Sequence, residues 1–207
     1  MGEKVITGNY FDKYKTKNPI YRKLMTRFFS SFMSLINANA GNKKLNILEI
    51  GCGEGEFAKI LQNHIKQEIS YTAFDIDDEI VNQANNNNCS GDFKVGSVYD
   101  LSEYLNKKYD FVIASEVLEH LESPEKALEE ILRIDSKHFL FSVPREPVWR
   151  MLNMMRFKYL SKLGNTPGHL QHWSKNSFGI MVQKYFQLVK IESPWPWTIV
   201  LCQKAQK

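Results

Sequence analysis

A chain of 207 residues, 43% hydrophobic and 24% charged, is long enough to bury one substantial core and too short to need a second domain. No apolar run long enough to cross a bilayer occurs, and the opening stretch MGEKVITGNYFDKYK has no apolar signal core, which predicts a cytoplasmic protein without a membrane span. The net charge of +4 hides a segregation: residues 1–44 carry nine Lys and Arg against two acids, 45–143 eight against nineteen, 144–173 five against one and 174–207 five against one. If the acidic middle is a ligand-binding core, the basic flanks that cover it would offer positive potential to a substrate. Cys52, Cys89 and Cys202 are odd in number and lack C-x-x-C spacing, which argues against a disulfide framework and a zinc site. Met1-Gly2 does not make a myristoylation signal, because the sixth position is Ile6.

The first 44 residues begin with a polar, aromatic and basic stretch, and Asn18-Pro19 marks a helix start. Leu24, Phe28, Phe32, Leu35 and Ile36 then recur at spacings of three and four, so an amphipathic helix is predicted to run until Asn39 to Gly41. The string LNILEIGCGEGEF follows, from Leu45 to Phe57. Its first six residues read as a strand buried on both faces. Gly51, Gly53 and Gly55 then stand at every second position, so the backbone can turn with positive φ and approach a ligand with no Cβ in the way. Phe57, Ile60, Leu61 and Ile65 predict a helix whose N-terminal N–H groups face whatever lies over the glycines.

The spacing here is G-x-G-x-G with Glu49 two residues ahead, where a dinucleotide fingerprint would need G-x-G-x-x-G. The string E-I-G-C-G-E-G resembles the first motif of the class I S-adenosylmethionine-dependent methyltransferases. That resemblance implies an α/β, Rossmann-like, doubly wound sheet of seven strands, mostly parallel with a C-terminal antiparallel hairpin, plus an N-terminal helical cap. It implies S-adenosylmethionine as cofactor, S-adenosylhomocysteine as product, and Glu49, Gly51, Gly53 and Gly55 around the cofactor. Residues 1–44 resemble the cap that small-molecule methyltransferases fold over the cofactor, which makes Tyr10, Tyr14 and Arg22 candidate contacts. Arg22 could grip a carboxylate in bidentate fashion.

Further matches follow in order. Ile69 to Phe74 reads as a second strand closed by Asp75, and an ionised carboxylate there can accept both ribose hydroxyls. By the resemblance Asp75 binds ribose and Ile76 lies against adenine. Asp77, Asp78 and Glu79 suit the start of the next helix, and Asn85 to Asn88 reads as a polar loop. Phe93 to Val98 is the third predicted strand; Ser97 and Val98 would flank adenine, with Ser97 where the family commonly has an acid. Tyr109 to Ile134 resembles the family's fourth strand, its L-E-H segment and the helix after it, and places Ser115 with the cofactor-binding residues. Ser123-Pro124-Glu125 supplies a cap, a proline at the first helical position and an early acid. Phe139 to Val143 is a fifth strand ended by Pro144.

Between Pro144 and Trp173 the alternation breaks into a segment rich in Met, Trp, Phe, Tyr and Arg, where the family inserts substrate-recognition elements and where flexible Met and flat aromatics suit an adaptable pocket. Ser174 caps a last helix through Phe186, and Leu188 to Ile191 and Thr198 to Cys202 pair across the PWPW turn. The chain is thus expected to be one methyltransferase domain: a helical cap over 1–44, a cofactor core over 45–143, a substrate lid over 144–173, and a helix with hairpin over 174–207.

Methyl transfer to a hydroxyl needs a base, and His120, His169 and His172 are the candidates, of which His120 and His169 are assigned as catalytic. No metal site is assigned. If Glu116, Glu119 and His120 opened a helix, their spacing would put them on one face, where two carboxylates and an imidazole could hold a divalent Mg²⁺ or Mn²⁺, and His169 could add a fourth ligand. E-x-x-E-H with H-x-x-x-W-S resembles metal-dependent 2′-O-methyltransferases of small-RNA 3′ ends, and E-x-x-E-H also occurs in ubiquinone-pathway O-methyltransferases. The leading expectation is methylation of a small-molecule acceptor, anionic or partly apolar, at a hydroxyl. Metal-assisted RNA methylation ranks below it, since no RNA-binding motif is visible, and a non-catalytic cofactor-binding module is the third reading.

Overall fold

The computed structural model describes residues 18–87 and 89–205. Tyr10, Tyr14 and Asn88 lie outside the described residues. Helix α1 (Pro19–Asn39) starts where Asn18 and Pro19 predict, with the Asn18 side chain accepting from the N–H groups of Ile20 and Tyr21, which satisfies donors that a helix start leaves orphaned. Strand β1 (Leu45–Ile50), α2 (Glu56–His64), β2 (Ile69–Asp75), α3 (Asp78–Asn85) and β3 (Asp92–Val95) follow in alternation. Then come β4 (Lys108–Ser115), α4 (Pro124–Arg133), β5 (Asp135–Pro144), α5 (Val148–Met155), α6 (Lys175–Gln183), β6 (Phe186–Glu192) and β7 (Trp197–Lys204).

The strands form a seven-stranded sheet in the order β3-β2-β1-β4-β5-β7-β6. The first five pair in parallel, and β7 joins antiparallel to both β5 and β6. The expected mostly parallel sheet with a closing hairpin is present. Alternation along the buried strands splits the core in two. Leu45, Ile47, Phe111 and Ile113 face the layer that holds α1, α2 and α3, while Leu48, Ile50, Val112 and Ala114 face α4 and α6. Helix α1 lies on the first layer through Phe28 against Trp197 (ring centroids 4.8 Å) and Phe32 against Phe57 (5.0 Å).

Local capping agrees with the sequence in two of three places. Asp77 accepts from Glu79 and Ile80 at the start of α3, and Ser174 with Ser177 forms a reciprocal capping box on α6. Ser123, by contrast, makes no side-chain cap bond; α4 begins on Pro124 alone, whose missing N–H is one of the orphans. The third strand is shorter than predicted, ending at Val95, because Gly96 N makes the last bond to β2, at Asp75 O (2.9 Å), and Ser97 to Asp100 then close on each other in a turn. No helix among the described residues is long and apolar enough to cross a membrane.

Candidate functional site

The order β3-β2-β1-β4 reverses direction beside β1, and at that switch point the carboxyl ends of the strands diverge to leave a crevice. A cavity of about 960 Å³ opens there. The glycine turn forms its floor. Gly51, Gly53 and Gly55 all have positive φ (72°, 53° and 78°), and the N–H groups of Gly51 and Cys52 both donate to Phe74 O at the end of β2 (2.8 and 3.0 Å). A Cβ on Gly51 would sit 2.5 Å from Val117 Cγ2, whereas one on Gly53 would meet no protein atom within 4 Å. Gly51 is therefore required by close packing as well as by its φ, whereas at Gly53 the left-handed φ alone favours glycine and the backbone lies open to the cavity.

Asp75 ends β2 on the rim of this turn, where Gly53 N donates to its Oδ2 (2.9 Å) and Asp77 N to its Oδ1 (3.3 Å). Each carboxylate oxygen keeps a second lone pair for a ligand. Ile76 is 57% exposed at the same rim, an apolar surface that a flat base would cover. Ser97, Val98 and Ser115 also line the cavity. Ser97 Oγ accepts from Tyr99 N (3.2 Å), and Ser115 Oγ shares a hydrogen bond with Ser142 Oγ (3.1 Å). The predicted cofactor residues thus line one cavity, except Gly55, whose open side packs on Ala84 beneath the turn; an acceptor-only carboxylate, bare glycine backbone and exposed isoleucine fit a ribose, a close-lying chain and an adenine.

Glu49 sits beneath the turn, 2% exposed, with Tyr71 OH donating to its Oε2 (2.7 Å). Burial pushes its carboxyl up to about 8, the Tyr71 hydrogen bond opposes that rise, and the charge of Asp75 adds to it. A group held protonated in the folded state stabilises the fold fully below its unfolded value and loses that contribution as pH rises through the folded value. Stability of the ligand-free protein is expected to fall between about pH 5 and 8 with a slope of up to about 1.4 kcal/mol per pH unit from this one proton. Glu49→Gln, which keeps an acceptor for Tyr71, should flatten that slope in urea melts at several pH values. An unchanged slope would remove Glu49 as its source. Cys52 beside it is likewise raised, by burial first and then by the charges of Glu49 and Asp75, so it stays a thiol.

Much of the remaining lining comes from three parts of the chain. Tyr21, Met25 and Phe28 enter from α1, Trp197 from β7, and Trp149, Asn153, Arg156, Thr166 and His169 from the 144–173 segment. Arg22 is exposed and does not line the cavity; Tyr21 takes that place, with the Arg156 guanidinium 5.9 Å over its ring. The sequence carried a signal for this, since Tyr21 and Met25 extend the Phe28–Phe32 stripe backwards at helical spacing.

After β4 the chain does not enter a helix at once. Glu116 N still bonds Ser142 O (3.1 Å), Glu116 itself takes a left-handed conformation (φ 60°), and only a 3₁₀ turn at Leu118–His120 follows. The expected single helical face of Glu116, Glu119 and His120 is thus absent: the Glu116 carboxylate receives Trp197 Nε1 (2.8 Å) and Ser142 Oγ (3.4 Å) instead. Glu119, His120 and His169 do come together, with ligand atoms all within 4.8 Å of one another. The two imidazoles, far apart in sequence, meet edge to face at 4.9 Å, because Leu170 N and Gln171 N both donate to Glu119 O (2.8 and 3.0 Å) and fasten the 144–173 segment to the turn. His120 Nδ1 faces Gly168 O (3.0 Å). In the neutral ring Nδ1 then carries the proton, and Nε2 carries the lone pair. His172 points elsewhere, to Asn165 Oδ1 (2.7 Å), and its pKa is lowered by burial and by Arg150.

A family model described as a methyltransferase domain matches residues 21–190. Among curated proteins, the ubiquinone biosynthesis O-methyltransferase of Xanthomonas oryzae pv. oryzae is 28% identical over 124 residues, 56% of this chain and 51% of the relative. The chain therefore spans about half the length of the curated relatives it matches. Two solved structures share the fold: the plantazolicin methyltransferase BpumL in complex with SAH (TM-score 0.69, 17% identity, 94% of this chain and 93% of the other), and the magnesium protoporphyrin IX methyltransferase of Synechocystis PCC 6803 with bound SAH (TM-score 0.67, 16% identity, 94% of each).

Proposed function

The chain belongs to the methyltransferase domain family and is a class I S-adenosylmethionine-dependent methyltransferase, and from that premise we propose that it methylates a hydroxyl of a small-molecule acceptor bound between the glycine turn and the His120–His169 pair. One observation carries the reading: Gly51, Gly53 and Asp75 line the same cavity as the two histidines. S-adenosylmethionine supplies a methyl group on a positively charged sulfur. In-line displacement then forms the acceptor oxygen–carbon bond as the sulfur–carbon bond breaks, and the hydroxyl proton must go to a base.

In this reading Asp75 holds the ribose, Ile76, Ser97 and Val98 flank adenine, and Glu49, Gly51, Gly53, Gly55 and Ser115 shape the remainder of the cofactor pocket. His120 Nε2 takes the hydroxyl proton, and His169 orients the ring edge to face. Tyr21, Met25, Phe28 and Trp197 shut water from the reacting atoms, which strengthens every polar contact inside. The whole chain acts as one domain, with α1 and the 144–173 segment closing the cavity from two sides.

A second reading rests on the close approach of Glu119, His120 and His169. One buried carboxylate and two imidazoles, one backed by a backbone carbonyl at its other nitrogen, suit a divalent transition metal. These three residues would hold the ion, whose chemistry when bound is to acidify a hydroxyl.

Asp75→Ala removes a two-pronged charged acceptor, and is expected to weaken S-adenosylmethionine binding by roughly 1–3 kcal/mol. Equilibrium dialysis of the folded variant measures this. Unchanged affinity would sink the ribose assignment.

A further inference from the structure

Residues 147–191 contain seven Lys and Arg and no acid, a stretch bounded by Glu146 and Glu192. Within it, the segment 148–164 is a compact unit. Arg150 Nε donates to Leu163 O (3.1 Å), and Asn153 Nδ2 donates to Gly164 O (2.9 Å) and Thr166 Oγ1 (3.1 Å). Asn153 is buried on the inner side of α5, so Met151 and Met155, two positions to either side, fall on its outer side. They are 54% and 73% exposed, and Phe157, Leu160 and Leu163 beyond them are 84%, 51% and 66% exposed. Five large apolar side chains thus stand in water within thirteen positions, a concentration that marks an interaction surface rather than scattered exposure.

The backbone is shaped to present them. Phe157 and Leu163 are non-glycine residues with positive φ (54° and 48°), a conformation that surrounding structure must enforce. Cations alternate with the apolar groups: Arg156, Lys158 and Lys162 line the cavity, while their neighbours Phe157, Leu160 and Leu163 do not. The exposed apolar side chains therefore stand next in sequence to three cations that line the cavity.

We propose that this face of the lid docks on an anionic phospholipid bilayer, the apolar side chains entering the headgroup boundary and the Lys and Arg side chains meeting lipid phosphates. Charge selects this occupant. A stretch of seven Lys and Arg without an acid, carrying five exposed apolar side chains, matches a negatively charged interface, where apolar insertion and electrostatic attraction act together. Docked in this way, the lid turns the cavity mouth toward the bilayer, so an amphiphilic acceptor could reach the site without crossing water. The docking itself does not depend on the methyl-transfer reading.

The test is flotation of the full chain with vesicles of phosphatidylglycerol and phosphatidylcholine mixed, against phosphatidylcholine alone. Flotation with the anionic vesicles is expected, weakened by raised salt. A triple variant, Phe157→Asn, Leu160→Ser and Leu163→Asn, should lose about 100-fold or more in partitioning, with asparagine chosen because it tolerates left-handed backbone. Its retained affinity for S-adenosylhomocysteine would show that the fold and cofactor site are intact. Three results would overturn the proposal: no flotation of the wild type, equal flotation of the triple variant, or a dimer that the same substitutions dissociate, which would give the face to a second copy of the chain.

Discussion

Gly51→Ala is expected to cost roughly 2–5 kcal/mol, divided between lost stability and lost cofactor affinity. The position has φ 72°, which an L side chain adopts only with strain, and the new methyl would lie 2.5 Å from Val117 Cγ2. Valine is stiff at χ1, so relief would require backbone movement. The glycine turn cannot easily supply it, since Gly51 N and Cys52 N are both bonded to Phe74 O and Gly53 N to Asp75. Gly53→Ala is the informative contrast. Its φ of 53° carries the same left-handed strain, but a methyl there meets no protein atom within 4 Å, so it should cost less stability than Gly51→Ala by the missing Val117 clash and act on ligand affinity. Paired thermal melts and titrations of the two variants would separate packing from ligand contact. Equal behaviour of both would mean that the turn has no close-packed and open sides.

The second large effect belongs to the histidine pair. His120→Gln should lower the rate of methyl transfer by about 10²–10⁴-fold while leaving cofactor affinity within about threefold, because a positioned base acts on the proton and not on cofactor binding. His169→Gln should act less strongly, as its ring lies between Trp149 and His120 (centroids 6.3 and 4.9 Å) and orients its neighbour. Running the same assay on metal-stripped protein, with and without added Mn²⁺, divides the two chemical readings. Activity that survives stripping assigns His120 as a base. Activity lost on stripping and restored by Mn²⁺ assigns Glu119, His120 and His169 as ligands. A His120→Gln variant of full activity would remove both.

What could be read from the sequence follows from how far apart the interacting residues are. The β1 turn and Asp75 were legible because strand periodicity, glycine spacing and a strand-ending acid are local patterns, and neighbouring parallel strands bring them together automatically. The closing hairpin was legible for the same reason. Glu116 was not. Its helical spacing to Glu119 and His120 suggested one face, but a sheet bond to Ser142 and a left-handed backbone turn it toward Trp197, 81 residues on. Arg22 failed through a shift of one position on a helix whose apolar stripe runs through Tyr21. The meeting of His120 with His169 depends on two backbone bonds from Leu170 and Gln171 to Glu119 O, which no periodicity encodes.

The most direct test of the central claim is calorimetric titration of the metal-stripped protein with S-adenosylhomocysteine, repeated on Gly51→Ala and Asp75→Ala. The arrangement of the glycine turn and Asp75 predicts saturable one-to-one binding by the wild type that both substitutions weaken. No binding by a folded wild type, or binding indifferent to both substitutions, would contradict it.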